Sequence, residues 1–176
     1  MIYTAQMSYQ FAPHTLFDAQ DVNWDITATA WRGAVLEVFA RADVAVDECI
    51  AALGRAGRDL GAHAHDRDVA NRMRALARFL EAQNFSGPSR ACIATLAQWC
   101  DDLPRRDLLA LGAVSLTRDG VQVRLRRFGG DTQPKDMSVR YSRLEMLVLL
   151  KRLGESQLLL AQQLGQIMAD ARTQQS

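Results

Sequence analysis

Lysine is nearly missing from this chain: 19 of its 21 basic residues are arginine, and only Lys135 and Lys151 are lysine. A genomic base bias would produce the same preference, so arginine abundance alone is no sign of phosphate binding, despite the bidentate geometry of the guanidinium. Long apolar runs are missing too. Nowhere do about 18 apolar residues follow one another without a polar break, so no membrane-spanning helix is expected. The stretch MIYTAQMSYQFAPHTLFDAQD has no basic start and no apolar core of signal-peptide length, and a cytoplasmic location is the expectation. Cysteine is limited to Cys49, Cys92 and Cys100. Three thiols cannot all pair, and each falls on or beside an apolar helical stripe, where cysteine acts as a small buried hydrophobe. There is no glycine-rich phosphate loop, nucleophile elbow, paired-cysteine motif or HExxH motif. Nucleotide-hydrolysing and metalloenzyme readings therefore lack support, and no cofactor or metal is expected.

What is present is an ordinary globular composition, 48% apolar and 23% charged, over 176 residues. A chain of that size buries roughly two thirds of its unfolded surface and forms a core without staples, so one domain is expected. The net charge of +1 hides an uneven distribution. Residues 1–66 hold 4 basic and 9 acidic side chains, residues 67–143 hold 14 and 8, and residues 144–176 hold 3 of each. Such asymmetry can steer an anionic partner, or draw the acidic first third onto the basic middle within one copy or between two.

Residues 1–27 show no sustained period, although Ile2, Tyr3, Met7, Tyr9 and Phe11 alternate in part; an N-terminal arm or short strand is expected there, and a helical domain over 28–176. From Thr27, read as a cap, Trp31, Val35, Val38, Phe39, Ala42, Val46, Cys49, Ile50 and Leu53 recur at steps of three and four up to Gly54 and Gly57. That spacing predicts a long amphipathic helix. After the loop GRAGRDLGAHAHD a second helix starts near Asp68, its seam Val69, Met73, Leu76 and Leu80, with Arg67, Arg72, Arg74 and Arg78 largely elsewhere. SGPSR resets the chain: Ser86 or Gly87 caps, and Pro88 takes an early helical position where its missing N–H costs nothing. Cys92, Leu96, Trp99, Cys100 and Leu103 carry a third seam to Pro104, followed by a short helical turn through Leu108 and Leu109 that ends at Gly112.

The period then changes. AVSLTRDGVQVRLRRF places Asp119-Gly120 between alternating runs, the preferred sequence of a two-residue type I′ hairpin. That turn sets Leu116 against Val123, Val114 against Leu125, Ser115 against Arg124 and Thr117 against Gln122, apolar facing apolar and polar facing polar. GGDTQPKDMS reads as a surface loop, and Ser142-Arg143-Leu144-Glu145 as a capping box opening a last helix. That helix carries Leu147, Val148, Leu150, Leu153, Leu160, Leu164, Ile167 and Met168. Residues 144–150 hold Glu145 as their sole charge, and so wide a stripe calls for cover on more than one side. The fold class is mainly α: an up-down bundle of about four to five helices with one β-hairpin inserted at about residues 113–128.

PRRDLLALGAV, residues 104–114, joins the third helix to the hairpin, and within it Arg106 and Asp107 are followed by a spacer, Leu111 and Gly112. Together with the order of elements over roughly residues 28–171, this resembles the HEPN superfamily (higher eukaryotes and prokaryotes nucleotide-binding), many of whose bacterial members are RNA-cleaving toxins or defence components. The family motif has an arginine, a polar residue that is often Asn, a short spacer and a histidine, commonly with glycine next. Arg106, Asp107 and Gly112 match it, and Leu111 stands at the histidine position. Metal-independent RNA scission needs a group that moves a proton near neutral pH, work that suits imidazole and that leucine cannot do. The resemblance thus implies a non-catalytic member, and family habit implies a homodimer through long helices.

Arg105, Arg106 and Asp107 are the candidate phosphate or nucleic-acid contacts at the helix end; the plainer reading has them solvated while Leu108, Leu109 and Leu111 pack. His63 and His65, two apart with Asp66 and Asp68 following, are either a solvated loop or weak candidates for metal or catalysis. Arg118, Arg124, Arg126 and Arg127 crowd the hairpin, where Arg124 and Arg126 share the polar face with Ser115, an arrangement that would touch phosphates without reading bases. With Phe128 as the sole interleaved aromatic, no stacking platform is indicated. The expected function is a non-catalytic HEPN-like protein that binds a protein partner or RNA in a bacterial defence, toxin-antitoxin or stress setting, as a homodimer and without a membrane partner. The alternatives are a helical interaction module with no nucleic-acid role, and an active ribonuclease in which folding brings His63 or His65 to Arg106.

Overall fold

The computed structural model describes residues 24–83, 87–127 and 135–173. Residues 1–23 of the arm expected over 1–27, the cap at Ser86 and Phe128 at the hairpin's end lie outside them. Helix α1 spans Trp24–Arg55, so the last four residues assigned to the arm are helical, and Thr27 is a buried helix residue rather than a cap. Trp31, Val35, Phe39, Ala42, Val46, Cys49 and Leu53 form its buried seam as their spacing predicts. The helix ends where the Arg58 N–H donates to the Leu53 carbonyl and the Gly57 N–H to the Gly54 carbonyl, both at 3.0 Å. This closure needs a left-handed residue, and Gly57 supplies it at φ 72°.

A 3₁₀ turn, Ala62–His65, leads to α2, Val69–Ala82, whose cap is Asp68: its carboxylate accepts from the Ala70 N–H at 2.9 Å. Helix α3 spans Gly87–Leu111 and runs through Pro104 instead of stopping there. An interior proline removes the bond to the carbonyl four residues back and costs about 3 kcal/mol. Leu103, Leu108 and Leu109 are all buried on either side of it, each worth about 1.5–3 kcal/mol, and this outweighs the lost bond. Leu111, by contrast, is 70% exposed and packs nothing, which corrects the expectation that it joins Leu108 and Leu109.

Strands β1 (Ala113–Thr117), β2 (Gly120–Arg127) and β3 (Lys135–Ser142) form one antiparallel sheet in that order. The hairpin is present, but its register is shifted by two residues: Leu116 pairs with Val121, Val114 with Val123, Ser115 with Gln122 and Ala113 with Arg124, so Arg118 and Asp119 form the turn. A slip of two keeps every side chain on its face. Gly120 is drawn into the strand because β3 presses on it: a Cβ there would lie 1.9 Å from the Tyr141 carbonyl oxygen. β3 is itself a correction, since residues 135–138 read as loop.

Helix α4, Arg143–Thr173, opens with the capping box: the Ser142 N–H donates to Glu145 Oε2 at 2.7 Å and the Glu145 N–H donates to Ser142 Oγ at 3.3 Å. Ser142 Oγ also donates to Glu145 Oε2 at 2.7 Å, and this bond, with the one from the Ser142 N–H, holds the Glu145 carboxyl below the usual carboxylate range. The buried face of α4 is Met146, Leu149, Leu153, Leu160, Leu164 and Ile167, with Val148 turned outward rather than into the seam. α1 packs along α4, α2 along α3, and α3 against α4, with the sheet across the end where α3 finishes and α4 begins. The core centres on Trp31, whose indole donates to the Met146 carbonyl at 2.9 Å, and on Phe39, set edge-on to Trp99 at 5.3 Å between centroids. Among the described residues no helix is long and apolar enough to cross a membrane.

Candidate anion-binding cleft

The head of α2 and the middle of α3 enclose a cleft of about 270 Å³ whose charged lining is Arg67, Asp68, Arg74, Arg106 and Asp107, with Cys100 and Pro104 among the rest. Local bonds fix the segment that leads into α2. Asp66 Oδ1 accepts from the Asp68 N–H at 3.0 Å and its Oδ2 from the Asn71 amide at 2.8 Å, which lowers the Asp66 pKa. Arg72 donates to the carbonyls of Asp66 and Arg67 at 2.9 and 3.1 Å and stands 2.7 Å from Asp47 of α1. The segment ahead of α2 is thereby tied to α1, with Arg67 at the cleft. Arg74, in the second turn of α2, lines the same cleft.

Arg106 enters from α3 and is anchored by Asp43 of α1, Nη1 to Oδ2 at 3.2 Å. Burial pushes the Asp43 carboxyl up, against the pull of Arg106 and Arg72, and Asp47 adds to the rise. Arg74 keeps one long bond, 3.4 Å to Asn71 Oδ1. The Asp68 carboxylate is engaged by the α2 cap. The cleft is thus lined by three arginines beside the carboxylates of Asp68 and Asp107, and the guanidinium is the preferred chemistry for a phosphate or carboxylate. Burial raises the Cys100 thiol pKa against the pull of Arg74, which disfavours the nucleophilic thiolate. Cys49 and Cys92 are fully buried with thiols pushed up to about 12, behaving as small hydrophobes.

The residues expected to act together are divided among three places. Arg106 and Asp107 line the cleft. Arg105 turns instead toward Asp102, which is buried and also holds Arg152 of α4 through two bonds at 2.9 and 3.0 Å. Arg124 and Arg126 lie on the outer face of the sheet with Ser115, where Arg124 donates to Gln122 Oε1 at 3.0 Å and Arg126 pairs with Asp136 at 3.2 Å. Arg140 of β3, opposite Gln122, adds a third guanidinium to that face; it lies just past the stretch read as loop, in residues given no element by the sequence. Arg67 and Arg74 were the other omission: their seven-residue spacing was visible, but not what α3 would set before them.

Neither loop imidazole reaches the cleft. His63 Nδ1 stands 3.9 Å from Asp66 Oδ2, and His65 lines a separate hollow of about 320 Å³ with Asp47, Ile50 and Arg72. Among the described residues no imidazole lines the Arg106 cleft, and no group of three His, Cys, Asp or Glu can hold a metal. Helix continuity adds a further point: five residues along an α-helix turn a side chain by about 140°, so position 111 lies on a different face from Arg106. Comparisons with protein families, curated proteins and solved structures return no match for this chain.

Proposed function

We propose that this chain is a non-catalytic, HEPN-like helical binding protein whose Arg67, Arg74 and Arg106 cleft takes the phosphate backbone of RNA. The observation that carries the reading is that three arginines, from the segment before α2, from α2 and from α3, line one hollow that no described imidazole lines. Arginine without a proton-transfer partner favours binding an anion over breaking it. The outer sheet face, with Arg124, Arg126 and Arg140, would extend the contact to further phosphates. A protein partner is the second reading, favoured by the exposed leucines of α4; it includes a homodimer.

Fluorescence anisotropy of a labelled single-stranded RNA against salt tests the first reading. Binding should weaken linearly in log–log form, and replacing Arg67, Arg74 and Arg106 by Ala should flatten the slope by about 2, at about 0.7 per lost phosphate contact. No retention at low salt would turn the reading to the protein partner. Cleavage of the RNA in chelator, lost on Arg106→Ala, would overturn the non-catalytic reading.

A further inference from the structure

The outward face of α4 carries four large apolar side chains that nothing in the described fold covers: Leu144, Val148, Leu158 and Leu159 are 69%, 56%, 69% and 48% exposed. They are not scattered. The exposed positions Leu144, Val148, Lys151, Glu155, Leu158 and Gln162 alternate steps of four and three, the spacing of a seam between two helices. At its middle the apolar character is interrupted by one cation and one anion, Lys151 and Glu155, which reach each other only at 3.9 Å and are both largely exposed.

This pattern is self-complementary under a twofold rotation. With the axis beside residue 153, an antiparallel copy of α4 places Val148 against Leu158 of the second copy, Lys151 against its Glu155 and Leu144 against its Gln162, and every contact occurs twice. Leu159 of the second copy comes over Leu147, which its own fold leaves half-buried. A parallel arrangement would set Lys151 on Lys151 and Glu155 on Glu155, which like-charge repulsion disfavours. We infer that this face of α4 is the docking surface for a second copy of the chain, antiparallel, with reciprocal Lys151–Glu155 pairs at the centre. Isologous contacts of this kind are self-limiting at two subunits.

The inference deepens the homodimer part of the preceding reading by assigning its face and register, and it does not depend on the arginine cleft. The seam runs about 28 Å along the helix. One helix on another covers less than the roughly 800 Å² per partner of a standard stable interface, so the association is weak and concentration-dependent.

Sedimentation equilibrium of the full chain over a wide concentration range tests it, with circular dichroism confirming that each variant is folded. Wild-type mass should rise toward twice the monomer. Lys151→Glu alone and Glu155→Lys alone should each weaken self-association by about tenfold or more, since each sets like charges together twice. Mixing the two variants should restore a dimer, because each then meets its opposite across the axis, an effect that the pair within one chain cannot produce. Val148→Glu should abolish association. A wild-type chain that stays monomeric throughout overturns the inference, as does one that dimerises while the charge variants, alone and mixed, behave like wild type. A chain that gains mass only with a different protein overturns it too. RNA anisotropy on the same samples separates this failure from a failure of the cleft, because monomeric variants with an intact cleft keep RNA binding.

Discussion

Gly120 shows how one residue can be legible for the wrong reason. Next to Asp119 it signals a tight turn, where glycine supplies positive φ. In the structure it is a strand residue, and its missing Cβ is needed because the Tyr141 backbone passes where that atom would be. Gly120→Ala should therefore destabilise the fold by about 3 kcal/mol or more through overpacking against backbone, lowering the urea midpoint. A loss of only a few tenths would mean that β3 yields easily. Tyr141 also explains why the register could not be read from the hairpin alone: its ring lies 5.3 Å from that of Trp31, so the position of β3 is set by the core of α1. The leucine at position 111 is a case of the opposite kind. Its identity excluded an imidazole from the outset, and its 70% exposure adds that it fills no core position either.

At the scale of elements, local signals succeeded at the Gly57 closure and the Ser142–Glu145 box and failed at Thr27, which lies inside a helix that starts at Trp24. The Asp68 cap, the Gly57 closure and the Ser142–Glu145 box each need only a few consecutive residues and their backbone bonds. Pro104 failed as a stop signal because the decision was not local. Helix α3 is held across the proline by buried Leu103, Leu108 and Leu109 and by the Asp102–Arg152 bonds to α4. It follows that Pro104→Ala should stabilise the protein. Alanine restores an N–H inside the helix, a gain of about 3 kcal/mol, and returns about 1 kcal/mol of chain freedom to the unfolded state, for a net of about 2 kcal/mol. Chemical denaturation would measure it, and a destabilised variant would show that the proline ring packs to more effect than its missing donor costs.

For the whole molecule, the acidic first third and the basic middle of the chain meet within one copy at Asp43–Arg106 and Asp47–Arg72. Asp43 pays for its place: burial holds its carboxyl above the ordinary value of 3.8 although two arginines pull it down. A pKa raised on folding means that the folded state holds the proton more tightly. The group's favourable contribution is therefore complete below 3.8 and is lost as pH rises through the raised value. Asp43→Asn should accordingly match wild type in strong acid and gain on it as pH rises toward neutrality, in urea titrations across that window. If the variant instead loses ground with rising pH, the attraction of Arg106 outweighs the burial. The same substitution frees Arg106 from its anchor, so the position of this guanidinium in the cleft depends on a residue 63 positions away in the chain.

By itself the sequence determined the presence of the four helices and most of their buried seams, the Gly57 closure, the Ser142–Glu145 box, the faces of the hairpin strands and the lack of an imidazole beside Arg106 at its own helix end. Periodicity and capping act through neighbours a few residues apart, and the leucine at position 111 is a leucine in any fold. The tertiary structure alone decided the hairpin register, the passage of α3 through Pro104, the third strand, and the grouping of Arg106 with Arg67 and Arg74 rather than with Arg105. Each of those depends on which distant surfaces are pressed together, and the free energy of that packing is larger than the local preferences it overrides.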